Sequence, residues 1–358
     1  MANEKIQLSI LDTEKKYTYA INETTYGDGI VQWGANNDMP LLYINCYRNS
    51  ATLKSIIDGS INYILGDNIT VNAAKWVKEV NRRGMTMRQF IAHIALSYQT
   101  FGGFAFQIIY NKLGLPVEFY PLDFARCRTN KTGTKIWYAD KWSRWSTKGK
   151  VYDAYDPTNI DAENPTQIYY CKGDFNNNVY PLPPYFGAIA DVLTEIECAK
   201  YSLNSVTNGF SAKYIINFPE ANNLTDEQKD GIEEAIKSKF CGSEAEANFM
   251  MYWGDGSDKK IEVAKIEGDE GPERYIAIKD NARANIFISM RATPNLFGLP
   301  TATTGFNSQE YSDAVKLYEK MTIDPIRDII REALDRVTGV ENSVEFTPLS
   351  IAFDNQDA

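Results

Sequence analysis

Residues 272–300 read PERYIAIKDNARANIFISMRATPNLFGLP, and the fold turns on how this stretch is read. Pro272 suits the first turn of a helix, where its missing amide would have no partner anyway. Tyr275, Ile276, Ile278, Ala282, Ile286, Phe287 and Met290 follow at helical spacing as an apolar side. The spacing predicts a helix over 272–292 that stops near Pro294. Beyond it, residues 308–338 carry a second long helical pattern, opened by Asn307 and Glu310 in a capping-box arrangement. Pro325 lies inside that pattern. A kink is expected there, because the ring removes an amide and crowds the carbonyl of Met321. Gly339 marks the stop.

Upstream, residues 185–208 place Phe186, Ile189, Val192, Leu193, Ile196, Ala199, Leu203 and Val206 on one face of a third long helix, with Gly209 just past its end. Between this helix and the one at 272–292 lies an insert. It reads as a strand at 213–218, a helix at 225–240 capped by Thr225 and Gln228, and strands at 248–253 and 260–266 joined by a turn at 254–257. This β-α-β-β piece is too small to bury both faces of its sheet alone, so a partner surface is implied.

The first half begins with two short helices at 39–47 and 50–65, the second striped by Ile56, Ile57, Ile61 and Ile64 and closed by Gly66. A helix at 86–98 follows, with Phe90, Ile91, Ile94 and Leu96 as its apolar residues. Residues 104–110, FAFQIIY, then 111–114 and 115–120 read as strand, turn and return strand. Residues 135–145 suggest another sheet segment, 168–172 a short strand, and 174–184, rich in Asn and Pro, a loop. At the far end SVEFTPLSIAF, 343–353, reads as an extended edge strand limited by Pro348, with 354–358 mobile.

A chain of 358 residues with 44% apolar content can bury one large core or two to three smaller ones. The net charge of −10 argues against tight wrapping of nucleic acid, whose affinity comes from cations on phosphates, but suits a body past which DNA slides. Cys46, Cys127, Cys171, Cys198 and Cys241 form no CxxC pair and read as reduced, small buried hydrophobes. Residues 1–19 lack the apolar core of a signal peptide, and no run approaches a membrane span. The expectation is a soluble protein made in a cytoplasm.

The chemistry-bearing motifs are missing. His93 is the one histidine, set in an apolar helix and read as half-buried. Gly149-Lys150 precedes Val151, and Arg144 stands where a P-loop needs its first glycine. Neither GxGxxG, HExxH nor GxSxG appears. Asp255, Asp258, Glu267, Asp269 and Glu270 read as solvated turns, and Asp226 with Glu227 as helix-dipole complements. No catalytic residue, metal or cofactor is expected. Trp137, Tyr138, Trp142 and Trp145, among Lys141, Arg144, Lys148 and Lys150, fit either base or sugar stacking or, the preferred reading, an exposed sheet that meets a neighbouring subunit.

The order of several short motifs resembles bacteriophage portal proteins of the head-tail connector type. Trp33-Gly34 with Asn37 and Pro40 is similar to their N-terminal lead-in, and Ile64-Leu65-Gly66-Asp67 to the helix end that follows. Gly102-Gly103-Phe104-Ala105-Phe106, then Gly114-Leu115-Pro116-Val117 and Tyr120-Pro121-Leu122-Asp123, resembles the family's central stretch, with Gly103 and Phe104 where Asn-Ala is common. Leu296-Phe297-Gly298-Leu299-Pro300, followed by residues 307–326, resembles its tail. The resemblance spans residues 30–335.

It implies an α+β portal fold. Residues 1–184 form an α/β wing, 185–210 and 269–292 a two-helix stem, and 211–268 a small β-α-β-β clip. Residues 293–307 form a tunnel loop, 308–338 the long kinked helix behind it, and 339–358 a short strand and tail, with the crown reduced or absent. It also implies a non-enzymatic ring, usually of twelve copies, at a capsid vertex. Duplex DNA passes through it, a terminase packaging motor and adaptor or neck proteins dock on it, and the major capsid protein surrounds it. No membrane is involved. Thr301, Thr303, Thr304, Gly305, Phe306 and Asn307 would face the channel. Lys279 and Arg283, at i and i+4, would line the stem or else pair with Asp280 and neighbouring copies. Two rivals remain: another virion adaptor protein, and a carbohydrate-active enzyme with paired acids in a pocket.

Overall fold

The computed structural model describes residues 23–27, 29–142, 149–173, 178–207, 213–218, 225, 227–232, 235, 249–253, 262–266, 272–298 and 308–350. The chain divides into two compact units. The first comprises Met1–Ile44, Ile64–Pro183 and Ile326–Leu349, and the second Asn45–Tyr63, Pro184–Pro325 and Ser350–Ala358.

The first unit opens with a small antiparallel pair, β1 (Thr25–Tyr26) and β2 (Ile30–Val31). Helix α1 (Met39–Asn49) follows, and α2 (Ala51–Leu65) returns to this unit at its last two residues. Next come β3 (Asn68–Val71) and α3 (Met87–Phe101). Thr86 caps α3 reciprocally: its hydroxyl accepts from Gln89 N at 3.2 Å, and the Gln89 side chain accepts from Thr86 N at 3.0 Å. The unit's main sheet has the order β5-β4-β9-β8-β7-β6. Its strands are β4 (Gly103–Tyr110), β5 (Pro116–Pro121), β6 (Cys127–Thr129), β7 (Lys135–Tyr138), β8 (Lys150–Ala154) and β9 (Thr166–Lys172).

Strand β4 sits inside the sheet, antiparallel to both β5 and β9, and α3 covers the face that carries Phe106 and Phe119. Phe90 meets Phe106 edge-on at 5.2 Å, one of the arrangements that aromatic quadrupoles prefer. The Asn111 side chain shapes the β4–β5 turn by accepting from Leu113 N and Leu115 N. Both edges of the sheet are engaged. Phe119 N donates to Val80 O at 3.0 Å, Asn81 Nδ2 donates to Phe119 O at 2.8 Å, and Asn130 bridges to Ile30 beyond β6. These contacts cover part of each edge strand.

A buried guanidinium ties the N-terminal segment to this sheet. Arg128, 1% exposed, donates to Asn37 Oδ1, Asn37 O, Ala125 O and Cys127 O. Its flat face lies over the rings of Trp33 and Trp142, at 5.5 and 5.0 Å. Asn37 holds a left-handed φ of 61°, and its Oδ1 also accepts from Trp33 N at 3.0 Å. Trp33 stacks on Tyr180 at 4.5 Å. The sequence motif Trp33-Gly34-x-x-Asn37 is therefore a packing and hydrogen-bonding unit.

The last helix of the unit, α7 (Asp324–Thr338), supplies Arg327, which is 4% exposed. Arg327 Nε donates to Ile64 O at 3.1 Å, and Arg88 donates to Leu65 O and Gly66 O. Two cations thus satisfy the orphan carbonyls at the negative end of α2. Gly66 takes φ 55°, and a Cβ there would lie 1.9 Å from Thr347 O, so only glycine fits. Thr347 ends β13 (Val344–Thr347), which pairs antiparallel with β3 alone. The expected C-terminal edge strand thus forms over four residues, and 354–358 lie outside the described residues.

In the second unit, α4 (Ile189–Thr207) packs antiparallel to α5 (Pro272–Ser289). Asn285 bonds Asp191 at 2.8 Å near one end, and Tyr201 stacks on Tyr275 at 4.3 Å near the other. The insert contains β10 (Lys213–Phe218), β11 (Phe249–Trp253) and β12 (Glu262–Ile266). Gln228 and Thr225 cap its helix reciprocally. The expected hairpin between the last two strands does not form. Strand β10 lies between them, parallel to β11 and antiparallel to β12. The parallel neighbour leaves β10 one free edge, and β12 pairs there. The turn at 254–257 lies outside the described residues.

The long C-terminal pattern starts as α6 (Ser308–Tyr318) and breaks before Pro325 as a π-helical turn over Glu319–Ile323. Asp324 N donates to Glu319 O, five residues back. One extra residue in that turn accommodates the proline ring, so the expected break has the form of a π-bulge.

Three further expectations change. Strand β8 was not anticipated from its sequence and fills the gap between β7 and β9. The α4 stripe follows Ile189, Val192, Leu193 and Ile196 but ends at Cys198, while Ala199 and Leu203 are exposed. Trp137 is buried rather than on an open sheet, and the Trp142 indole donates to Arg126 O at 2.8 Å.

Candidate functional site

The helix pair of the second unit presents two kinds of surface. Toward its own unit, α5 buries Ala282, Ile286 and Phe287, with Met290 just beyond. Away from it, Ile276 is 58% exposed and Ile288 74%, with Tyr275 and Ile278 also open. The expected single apolar side is thus divided. Ile276, Ile278 and Ile288 form a second, open surface, while Tyr275 stays against α4 through Tyr201. Open apolar side chains grouped on one surface mark a contact site.

Lys279 is half-buried and Arg283 lies one turn further on. Arg283 Nη1 stands 3.6 Å from Asp280, and its Nε is buried without a hydrogen-bond partner. The cation pair considered from sequence is thus partly neutralised at Arg283 within its own helix. Thr301, Thr303, Thr304, Gly305, Phe306 and Asn307 lie outside the described residues.

The chain leading to that segment is held firmly. Residues Pro294–Phe297 form one 3-10 turn, ended by Gly298 at φ 83°. The Phe297 ring meets Tyr63 at 6.2 Å, Phe287 at 6.3 Å and Tyr318 edge-on at 5.5 Å. It rests on Gly59 of α2, where a Cβ would lie 2.7 Å from Cε1. Interior glycine costs a helix about 1 kcal/mol relative to alanine, and this contact explains its presence. Ser60 Oγ gives its proton to Ile56 O at 2.6 Å, so the Tyr318 hydroxyl is the donor in their 2.6 Å bond. Burial pushes the Tyr318 phenol up to about 12, which keeps it a neutral donor.

At the start of α2, the Glu195 carboxylate is 4% exposed and accepts hydrogen bonds from the Ser50 and Thr52 hydroxyls. An acid at a helix N-terminus complements the dipole. With both oxygens engaged, it holds α4 to α2.

His93 is exposed rather than half-buried. Burial pushes the Cys46 and Cys171 thiols up to about 12 and Cys127 higher still, so their nucleophilic form is scarce near neutrality. Among the described residues no cluster of His, Cys, Asp or Glu could hold a metal ion, and no helix is long and apolar enough to cross a membrane.

A sequence model of the phage portal protein family matches residues 72–356, which is most of the chain. The chain belongs to that family. Solved structures share the fold at low identity. An HK97 family phage portal protein from Corynebacterium diphtheriae is 10% identical with a TM-score of 0.52, covering 82% of this chain and 89% of its own. A chain from the neck of the native gene transfer agent particle, solved with C12 symmetry, is 14% identical with a TM-score of 0.56, covering 86% and 83%. A chain from the virion of that particle is 13% identical with a TM-score of 0.55, covering 86% and 83%. The protein is thus a portal subunit, a component of the virion at a capsid vertex, in a family of structural proteins rather than known enzymes.

Sequence reasoning about the portal missed the Phe297 socket. A signal was present, since Gly59 stands inside an otherwise well-patterned helix and such a glycine usually has a packing reason.

Proposed function

We propose that copies of this portal close head-to-tail into a ring, of twelve subunits, through which duplex DNA passes during packaging and ejection. The observation that carries the reading is α5, whose Ile276, Ile278 and Ile288 remain open while Ala282, Ile286 and Phe287 are buried. A neighbouring copy presenting a different face covers them, which is a heterologous contact and closes into a ring. The twelvefold count follows the gene transfer agent neck, solved with C12 symmetry.

In this ring Thr301, Thr303, Thr304, Gly305, Phe306 and Asn307 face the channel. They are uncharged, so they meet the duplex without forming the ion pairs that would stall it. Lys279 and Arg283 form circles of cations along the stem, tempered by Asp280. Residues 211–268 are the docking surface for the terminase packaging motor and later for adaptor or neck proteins, and the major capsid protein surrounds the wing. The work of translocation comes from the motor.

Purified protein is expected to hydrolyse no ATP and to bind duplex DNA weakly, with a steep loss as salt rises. A nucleotide-hydrolysis assay and a fluorescence titration at several salt concentrations measure this. ATPase activity that follows the chain through every purification step would contradict a passive channel.

A further inference from the structure

Helix α5 carries a row of side chains that its own subunit leaves uncovered. Ile276, Asp280, Ala284 and Ile288 follow at intervals of four, and all are exposed. Residues so spaced form a continuous ridge along a helix. Helix α6 and the π-helical turn after it carry a second one. Asp313, Leu317 and Met321 are also four apart and exposed, Leu317 by 64% and Met321 by 57%. Lys316 and Lys320 make the adjoining ridge, exposed as well. A groove therefore runs between a wall of Leu317 and Met321 and a wall of lysines. The buried sides of the two helices, at Phe287 and Tyr318, meet on Phe297, so both open rows belong to one packed body. Met321 stands in the π-helical turn, a form that recurs at functional sites.

We infer that the α5 ridge of one copy seats in this α6 groove of the next. A head-to-tail contact joins two unlike faces of the same chain, and the second unit offers two. Ridges at four-residue spacing pack into such grooves in the commonest mode of helix pairing. Charge fits the same pairing. Asp280 stands between the apolar ends of its ridge and meets the lysine wall when Ile276 and Ile288 meet the apolar one. Within their own copy, Asp280 and Lys320 make only exposed contacts, of 3.6 Å to Arg283 and 3.5 Å to Asp324, which cost little to rearrange. Two copies pairing α5 to α5 would bring Asp280 near its own counterpart, and α6 to α6 would set lysines against lysines. Both twofold arrangements are disfavoured, and the cyclic one is left. This contact presupposes the ring proposed above, and the experiment distinguishes the failure of one from the failure of the other.

The full chain carrying both Ala284→Cys and Leu317→Cys is assembled, its ring abundance is measured by mass photometry, and it is then treated with a short bismaleimide and denatured. A ladder of covalent multimers is expected. Either substitution alone should give only the background of the native cysteines. The two single variants assembled together should give covalent dimers and no ladder, since each copy then has one reactive partner. Separately, Asp280→Lys should lower ring abundance at micromolar concentration about tenfold, and Lys320→Asp in the same chain should recover most of it.

Intact rings that give no ladder, Asp280→Lys rings as abundant as the parent's, or a Lys320→Asp change that recovers nothing would each overturn the contact and leave the ring standing. If the unaltered protein forms no ring, the ring reading fails and takes the contact with it. Should the double-cysteine protein not assemble, the charge exchange decides alone, by the same outcomes.

Discussion

Replacing Ile276 and Ile278 together by glutamate will leave the subunit folded and abolish ring-sized species at micromolar concentration. Both residues are open on the isolated chain, so the substitution costs its fold little. In a ring the same side chains are covered, and each junction would have to bury charge without a partner. About 3 kcal/mol per junction, the low end for an unpaired buried charge, weakens each contact roughly a hundredfold. The cost recurs at every subunit, so a closed ring amplifies it. Mass photometry beside circular dichroism tests this. Rings of unchanged size and abundance would show that this face of α5 is not an assembly surface.

Replacing Arg128 by methionine will destabilise the first unit by about 3 to 5 kcal/mol, because it strips the donors from Asn37 O, Ala125 O and Cys127 O in a buried site. Burial alone lowers the pKa of this guanidinium, and what keeps the charge in place is its full set of carbonyl acceptors and the two indole faces. Lysine should not rescue, since a point ammonium cannot reproduce the planar fork that spans Asn37 and the β6 backbone. The melting temperature should fall by about 10 °C. A variant that melts within about 2 °C of the parent would mean that other contacts hold the N-terminal segment to the sheet.

Local rules read well where one segment carries its own instructions. Thr86 and Gln89 announce the start of α3, Asn111 and Gly114 the β4–β5 turn, and Gly339 the end of α7. Strand β13 was legible from its β-branched and aromatic run, with Pro348 confining it to the edge it occupies beside β3. What failed depended on partners remote in sequence. The residues KVYDA of β8 alternate too weakly to signal a strand, and it is the adjoining strands β7 and β9 that make them one. The position of β10 between β11 and β12 is a choice of edge, which the pattern within each strand does not encode.

The site divides in the same way. Spacing located α5 but grouped the open Ile276 and Ile278 with the buried Ala282, Ile286 and Phe287 on one apolar side, because periodicity measures apolarity and not which neighbour covers it. The π-bulge before Pro325 likewise exceeds the proline rule, which predicts a break but not its form. Gly59 and Phe297 lie far apart in sequence, and only their contact explains either.

The central claim, that this portal closes into a ring around a channel, is tested most directly by electron microscopy of the purified protein viewed down its symmetry axis. Closed rings of one subunit number, with an open centre wide enough for duplex DNA, are expected. Twofold dimers, or open helical filaments at every concentration and salt examined, would contradict it.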